Sequence, residues 1–196
     1  INHIYEDRFN RIWISTDRQG LVCLDASGRK KAVYKTPDLP GNLAGIVLED
    51  KEGALFVTVA GTVLMFDEVS STFIPFRVKD RQGIDIREMT LTKDGVIYLG
   101  TYGKGVYSIN KEKRLLTPVE NIHTPFLNMN TAKVVAITED RNQNLWLGCF
   151  QKGIVMIPNR PVVFGFWNLS EKGYDMGDII TSIYQDSQGF VWAGLE

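Results

Sequence analysis

The sequence IITSIYQDSQGFVWAG (Ile179–Gly194) is the last of five copies of one repeat unit. In each copy an apolar stretch leads into a short turn, and a large aromatic residue follows the first turn position by six residues. These aromatic residues are Trp13, Phe56, Tyr98, Trp146 and Trp192. Their spacings of 43, 42, 48 and 46 residues predict a β-propeller with one blade per repeat.

The turn of the repeat opens with an acid in four copies and with Thr92 in the third. The acids are Asp7, Asp50, Asp140 and Asp186. An aspartate side chain can accept bonds from nearby backbone amides, and the glycine that often follows tolerates positive φ. Turn geometry therefore explains the recurring acids better than paired-carboxylate catalysis does, with calcium binding as a weaker alternative.

Each repeat reads as four short strands, so the predicted fold class is all-β, with four-stranded antiparallel blades. The predicted blades are 1–42, 43–84, 85–130 and 131–178, followed by a partial blade at 179–194. Residues 195–196 depart from the repeat and can be read as a cloning scar. The chain thus represents about four and a half blades of a longer propeller. The repeated aromatic residues are expected to wedge between neighbouring blades.

Composition places the chain among ordinary soluble domains, with 196 residues, 44% hydrophobic and 23% charged. Its net charge of −1 offers no field that would attract nucleic acid or an anionic membrane. There is no run of 18 apolar residues, and no signal-peptide pattern follows the initial Ile1. We therefore expect an excised piece whose only link to a membrane lies in segments outside it.

Two further expectations come from the cysteines and from the incomplete blade. Cys23 and Cys149 fall in different blades, so both are predicted to be free thiols. A chain that stops within a blade leaves one blade face and one strand edge uncovered, which predicts self-association as a homo-oligomer.

The strongest copies share one sequence pattern. It consists of an apolar strand, then Asp-x-x-Gly, then Leu or Val followed by Trp, any residue and Gly. Ile183–Gly194 matches nearly throughout, and Ile137–Gly148 matches with Gln143 in the glycine slot. Tyr98–Val106 carries the second half of the pattern, and the first copy has Asn10 for glycine. This pattern resembles the two-component regulator propeller repeat, and the resemblance covers the whole chain.

The resemblance implies a function. In that family such repeats form the extracytoplasmic sensor region of membrane-bound histidine kinases, many of them hybrid systems of gut Bacteroidetes that detect glycan breakdown products. Two seven-bladed propellers there precede an immunoglobulin-like domain, a membrane helix and the kinase. The resemblance therefore implies a periplasmic, non-catalytic module of a seven-bladed propeller, without cofactor or metal. It would bind an oligosaccharide and signal through association of propellers in a dimer.

Candidate ligand-binding residues lie in the loops between second and third strands, where propellers usually bind. Arg18, Lys104 and Lys152 occupy nearly equivalent places, which suits an acidic sugar or a sulfate. Tyr102 and Phe150 stand beside two of them and could lie against a sugar ring. The alternative is that all five are solvated loop residues repeated with the blade.

Two long connections, 121–130 and 167–178, mix aromatic, amide and charged residues. Trp167 in the second connection is a further candidate for ligand binding. Packing on a neighbouring blade or on a dimer partner explains the same composition, and residues 162–166 beside Trp167 also suggest an outer strand.

Catalysis has little support in the sequence. The only histidines, His3 and His123, lack metal-ligand spacing. Two alternatives to a sensor stay open: a propeller enzyme of the lyase type, for which only His123 could serve, and a scaffold that binds a protein partner.

Overall fold

The computed structural model describes residues 1–35, 39, 44–79, 83–120, 122, 127–159, 165–167 and 179–195. These residues form antiparallel strands and one 3-10 turn, with no α-helix among them, which confirms the predicted all-β class. The chain divides into two compact units. Unit 1 comprises Ile1–Gly83 and Lys111–Leu115, and unit 2 comprises Ile84–Asn110 and Leu116–Glu196.

Unit 1 contains two four-stranded sheets in which the strands follow chain order. The first sheet consists of β1 (His3–Glu6), β2 (Ile12–Ser15), β3 (Leu21–Leu24) and β4 (Lys30–Tyr34). The second consists of β5 (Ala44–Glu49), β6 (Leu55–Val59), β7 (Thr62–Asp67) and β8 (Thr72–Pro75). A short strand, β9 (Arg77–Val78), follows, and the amide of Arg77 donates to the carbonyl of Arg114 at 2.9 Å.

Unit 2 repeats the same arrangement. One sheet has the order β10 (Ile86–Leu91), β11 (Ile97–Thr101), β12 (Val106–Asn110), β13 (Leu115–Pro118). After the 3-10 turn Met129–Thr131 comes the sheet β14 (Val134–Glu139), β15 (Leu145–Cys149), β16 (Gly153–Ile157), β17 (Gly165–Trp167). The last sheet has two strands, β18 (Ile180–Gln185) and β19 (Val191–Leu195).

The backbone of Trp167 belongs to a strand, which corrects its assignment to an interblade connection. In the register of β16 and β17 it lies opposite Ile154. The outer strand of this sheet therefore comprises Gly165–Trp167. The rest of the predicted connection, 168–178, lies outside the described residues, as does the side chain of Trp167.

Trp13 joins the two sheets of unit 1. It is fully buried, and its ring packs edge-on against Phe66 of β7 at 5.2 Å and beside Tyr34 of β4 at 5.9 Å. Phe56 in β6 is likewise fully buried, with its ring 5.9 Å from that of Phe76. In unit 1 Trp13 therefore wedges between neighbouring sheets as expected.

The aromatic residues of unit 2 are less covered. Tyr98 and Trp146 are half-buried, and Tyr98 packs on a core built around Val134, Leu147 and Val155. Trp192 is 61% exposed, so the expectation that all five residues are wedged is wrong for this copy. The reason is local: Trp192 sits in the two-stranded sheet, and no further sheet among the described residues packs over it.

A basic residue after the first turn position links successive sheets inside each unit. The guanidinium of Arg8 donates to the carbonyls of Asp50, Lys51 and Glu52 in the next turn at 2.9 to 3.2 Å. The Nζ of Lys93 reaches the carbonyl of Arg141 at 3.3 Å. These carbonyls belong to turns outside the strand ladders, and the basic side chains that donate to them stabilise the contact between repeats.

Both cysteines are free, as predicted, and both are buried. Burial raises the pKa of Cys23, and it raises that of Cys149 to about 12. Neither sulfur is therefore an activated nucleophile at neutral pH. Within the described part of the chain there is no helix of the length and hydrophobicity that a membrane span requires.

Candidate functional site

The turn aspartates use both carboxylate oxygens to hold the repeat. Oδ1 of Asp7 accepts the amides of Phe9 and Arg11, each at 2.9 Å, and Oδ2 accepts the indole N–H of Trp13 at 2.7 Å. The same pattern recurs at Asp140 with Trp146 and at Asp186 with Trp192. These carboxylates are thus engaged in local structure rather than presented to a substrate.

In the two copies that lack tryptophan, the hydrogen-bond partner of the turn residue changes as well. Phe56 has no N–H to donate, and Oδ2 of Asp50 instead accepts Nζ of Lys111 at 2.7 Å. Where Tyr98 replaces tryptophan, Thr92 replaces the acid and donates to Asp94. The first turn residue and the aromatic residue therefore vary as a pair, because a buried carboxylate needs a donor.

The charge of the turn aspartates is stabilised by these bonds. Burial alone raises the pKa of Asp7, but the bonds from Trp13 and Arg11 outweigh it, so its pKa lies below the usual value. The same balance lowers the pKa of Asp140, with Trp146 as the first donor. Among the described residues no group of three or more His, Cys, Asp or Glu could hold a metal ion.

Two of the loops between second and third strands are built on a repeated threonine, Thr16 or Thr101. The Oγ1 of Thr101 accepts the amide of Lys104 at 3.1 Å and donates to the carbonyl of Gly105 at 2.8 Å. Thr16 makes the matching pair of bonds in the first repeat. Gly105 has φ +67, and a Cβ there would lie 2.0 Å from the carbonyl oxygen of Met129. The loop that carries Tyr102 is therefore fixed at both ends.

Two predicted residues, Tyr102 and Phe150, are brought together in unit 2. The amide of Tyr102 donates to the carbonyl of Asp85 at 2.7 Å, and that of Phe150 donates to the carbonyl of Lys133 at 2.8 Å. Asp85 and Lys133 occupy equivalent places shortly before the first strands β10 and β14. The two rings then lie 5.8 Å apart with an interplanar angle of 54°.

Two cations complete what we call the cation–aromatic cluster, defined as Arg87, Tyr102, Lys133 and Phe150. The Nζ of Lys133 lies 4.5 Å from the Tyr102 ring centre and 5.5 Å from that of Phe150. It also donates to the Tyr102 hydroxyl at 3.3 Å. The guanidinium of Arg87 lies 5.0 Å from the Tyr102 ring and pairs with Asp85 at 2.7 Å. Both cations are exposed, so each can also meet a ligand.

This arrangement suits a ligand with an anionic group beside an apolar ring face. Exposed ammonium and guanidinium groups donate charge-assisted bonds to carboxylate or sulfate oxygens. The half-buried aromatic rings supply rigid apolar surface at low entropic cost. The cations are ordered by the ring faces before any ligand arrives, which reduces the cost of fixing them on binding.

The other predicted ligand residues are placed differently. Lys104 is half-buried, Lys152 is exposed, and both belong to unit 2. Arg18 is exposed and belongs to unit 1, so a grouping of the three cations stays a prediction. Trp167 and His123 lie outside the described side chains.

Sequence reasoning missed Lys133 and Arg87. It searched the loops between second and third strands, whereas Lys133 directly precedes β14 and Arg87 lies inside β10. The sequence signal for these two residues was a charged residue at the start of a first strand. That position lies opposite the loop between second and third strands of the same repeat.

His3 has a structural environment. Its Nδ1 accepts the amide of Val47 at 3.2 Å, and its ring stacks with Tyr5 at 6.4 Å. Burial lowers the pKa of His3, which favours the neutral ring that can accept this bond. It therefore connects β1 with β5.

The repeated four-stranded sheets and their aspartate-centred turns define a repeat protein with propeller blades. The family model described as two component regulator propeller matches residues 1–18, 128–151 and 176–196. These three stretches therefore carry the two-component regulator propeller repeat. No curated protein sequence matches it.

Solved structures show the same fold. The extracellular domain of a hybrid two-component system from B. thetaiotaomicron superposes with a TM-score of 0.79 at 22% identity, over 100% of this chain and 25% of that chain. A second such domain from this organism gives 0.75 at 15% identity, over 94% and 25%. Virginiamycin B lyase from Staphylococcus aureus gives 0.71 at 13% identity, over 97% and 61%.

At these sequence identities the structural similarity establishes the propeller fold alone. The chain spans about a quarter of the length of the two sensor domains it resembles. The sensor domains and the lyase share blades of this type, so the choice between binding and catalysis depends on the site residues rather than on the fold.

Proposed function

We propose that the chain is part of a non-catalytic, extracytoplasmic sensing module of a two-component histidine kinase. It binds an acidic oligosaccharide at the cation–aromatic cluster. The observation that carries the proposal is the placement of the Lys133 ammonium against the rings of both Tyr102 and Phe150. The family repeats and the likeness to sensor ectodomains support the signalling context.

The chemistry of the cluster favours a uronic acid or a sulfated sugar over a neutral one. Lys133 and Arg87 are exposed charges at the rings, and Arg87 pairs with Asp85. A carboxylate or sulfate would meet Lys133 while the sugar ring lies against Tyr102 or Phe150. A neutral sugar would gain the ring contact and lose the ionic one.

Signalling through a dimer requires the ligand to favour one arrangement of two propellers over another. We propose a homo-oligomer for this purpose. Tyr184, Phe190 and Trp192 are each more than 60% exposed and lie in the last described sheet or its turn. A further blade or a second copy would cover them. Light scattering distinguishes the two: a monodisperse monomer contradicts the second copy.

A thermal-shift screen tests the ligand. The probes are oligogalacturonates and chain-length-matched neutral galacto-oligosaccharides, each tested on the wild type, Lys133→Gln and Tyr102→Ala. The matched control is Lys30→Gln, which removes an exposed lysine in β4 of unit 1. We expect the acidic sugars alone to raise the melting temperature, and both cluster variants to abolish the rise while the control retains it. Equal shifts with neutral sugars, or unchanged shifts in Lys133→Gln, would reject this assignment.

A further inference from the structure

The two sheets of unit 1 meet through two different faces. The first sheet contributes the ring of Trp13. The second contributes an aliphatic row, in which residues opposite one another on β5, β6 and β7 share one face: Val47, Val57 and Leu64. Trp13 and this row belong to one buried core, and each member is no more than 1% exposed. We call this arrangement, an aromatic face of one sheet on an aliphatic row of the next, the repeat contact.

The first sheet carries an equivalent aliphatic row on the face opposite Trp13, because neighbouring residues of a strand point to opposite faces. Its members lie opposite one another across β1, β2, β3 and β4: Ile4, Ile14, Val22 and Val33. Ile4 is 58% exposed and the other three are half-buried, unlike their counterparts in the second sheet. We call this row, together with Ala26 in the turn after β3, the head face.

The last sheet carries an aromatic face arranged like that of the first sheet. Tyr184 lies opposite Trp192 in the register of β18 and β19, and Phe190 directly precedes β19. These three residues occupy the positions that the first repeat gives to Tyr5, Trp13 and Arg11. They are 61 to 66% exposed, whereas Trp13 is fully buried. We call them the tail face.

Gly194 indicates that a strand fits against the tail face. It lies two residues beyond the tryptophan of β19 and therefore on the same side of the sheet. At the equivalent Gly100, an added Cβ would lie 2.8 Å from the carbonyl oxygen of Val134, in the first strand of the next sheet. At Gly148 it would lie 2.9 Å from Ile180, again in a first strand. At Gly194 the three nearest atoms belong to its own sheet, which leaves this close approach open to a further first strand.

One pair of positions matches the tail face to the head face. Between the first two sheets Arg11 pairs with Glu68, which follows β7. On the tail face Phe190 takes the position of Arg11, and on the head face Ala26 takes the position of Glu68. Replacing one member of such a pair would leave an uncompensated charge in the interface. Here both members are replaced, by a large apolar residue and a small one, as a contact between these two faces requires.

We propose that the tail face of one copy of this chain binds the head face of a second copy, in the manner of the repeat contact. The head face supplies the first strand β1 for the close approach at Gly194 and the aliphatic row for Trp192. The contact is heterologous, because two different surfaces meet. Ser187 takes the position of Arg8, whose guanidinium binds the next turn, so this contact lacks those bonds and should be reversible. The inference rests on the proposed homo-oligomer and names the faces that form it.

Sedimentation equilibrium of the 196-residue chain tests the contact with one charged variant for each face. Ile4→Lys alters the head face and Phe190→Lys the tail face, both at positions that are more than half exposed. We expect the wild type to self-associate with rising concentration, and each variant to have a dissociation constant at least about tenfold higher. An equimolar mixture of the two should form a 1:1 dimer and nothing larger, because each variant keeps one intact face. Val69→Lys, at a 96% exposed position, is the control and should associate like the wild type.

The outcomes separate this contact from self-association in general. Association of Ile4→Lys as strong as that of the wild type, with loss in Phe190→Lys, would mean that two tail faces bind each other. That result keeps the homo-oligomer and overturns the inference, as does a mixture that stays monomeric. A monomeric wild type would overturn both and leave the two faces to further blades. The thermal-shift screen with acidic sugars uses other residues, so its result is independent.

A charge-restoring pair gives a second test that does not depend on Ile4. Phe190→Arg and Ala26→Glu should each weaken self-association. The chain that carries both substitutions reproduces the pair of Arg11 and Glu68 and should recover it. Association of the double variant no stronger than that of either single variant would reject the pairing of Phe190 with Ala26. Melting temperatures of all variants show that each remains folded.

Discussion

The indole N–H of Trp13 donates to Oδ2 of Asp7 at 2.7 Å, while Oδ1 of the same carboxylate accepts two amides of the turn. One side chain therefore fixes both the turn and the residue that wedges against the next sheet. The relationship recurs at Asp140 with Trp146 and at Asp186 with Trp192. It explains why these two positions keep a constant separation although the loops between repeats differ in length.

Loss of the Asp7 charge should destabilise the fold in acid. Its folded pKa is lower than the unfolded value, so its contribution is present above about pH 4 and is lost as the pH falls through the folded pKa. Asp7→Asn should cost about 1–3 kcal/mol at pH 7 because bonds to a charged acceptor are weakened. Urea melts from pH 7 to pH 3 measure this. The variant should lose less stability across this range than the wild type, and parallel curves would contradict the role of Asp7.

Lys111 should matter more than its exposed position suggests. Its ammonium contacts Asp50, whose side chain is 1% exposed, and Phe56 offers no replacement donor. Lys111→Met should therefore cost about 1–3 kcal/mol, the range for a buried polar group that loses a partner. Lys30→Met, at an exposed site in β4, serves as the control. Equal unfolding free energies for the two variants would show that Asp50 does not depend on Lys111.

Two glycines with similar backbone angles should respond differently to alanine. Gly20 has φ +73, and a Cβ there would lie 2.0 Å from the carbonyl oxygen of Tyr34. Gly28 has φ +78 with nothing within 4 Å of such a Cβ. Gly28→Ala should cost only the left-handed backbone penalty of about 1–2 kcal/mol, and Gly20→Ala should cost more. Chemical denaturation compares them, and similar losses would rule out the close approach.

The repeated tryptophans should contribute according to their burial. Trp13→Ala should cost about 3–5 kcal/mol, as expected for a large buried side chain, and Trp146→Ala should cost somewhat less. Trp192 is 61% exposed, so Trp192→Ala should cost least although it makes the same bond to Asp186. Thermal melts followed by circular dichroism give the order. A larger loss for Trp192 than for Trp13 would contradict packing as the main contribution.

The repeat could be predicted from sequence because each turn is encoded locally. The position three residues after the first turn residue has positive φ in every copy, including Asn10 at 55° and Gln143 at 64°. A glycine-rich pattern indicates such a slot even where another residue fills it. The alternation of apolar residues along the strands and the recurring aromatic residue likewise come from short stretches of sequence.

The candidate site could be predicted only in part. Tyr102 and Phe150 were visible as loop aromatics in equivalent positions. The two cations were not, since Lys133 reaches the rings through an isolated bridge between the residue before β14 and Tyr102 in the loop of the preceding repeat. The exposure of Trp192 depends on which element packs over its sheet. The sequence of the repeat alone does not give that information.

The most direct measurement is an isothermal titration of the wild type and Lys133→Gln with a uronic-acid trisaccharide, at low and at high salt. We expect saturable binding to the wild type that weakens as salt screens the charge of Lys133. We also expect an affinity for Lys133→Gln at least about tenfold lower, a loss of about 1.4 kcal/mol. Equal affinities for the two proteins, or binding that does not change with salt, would contradict an acidic-sugar site at the cation–aromatic cluster.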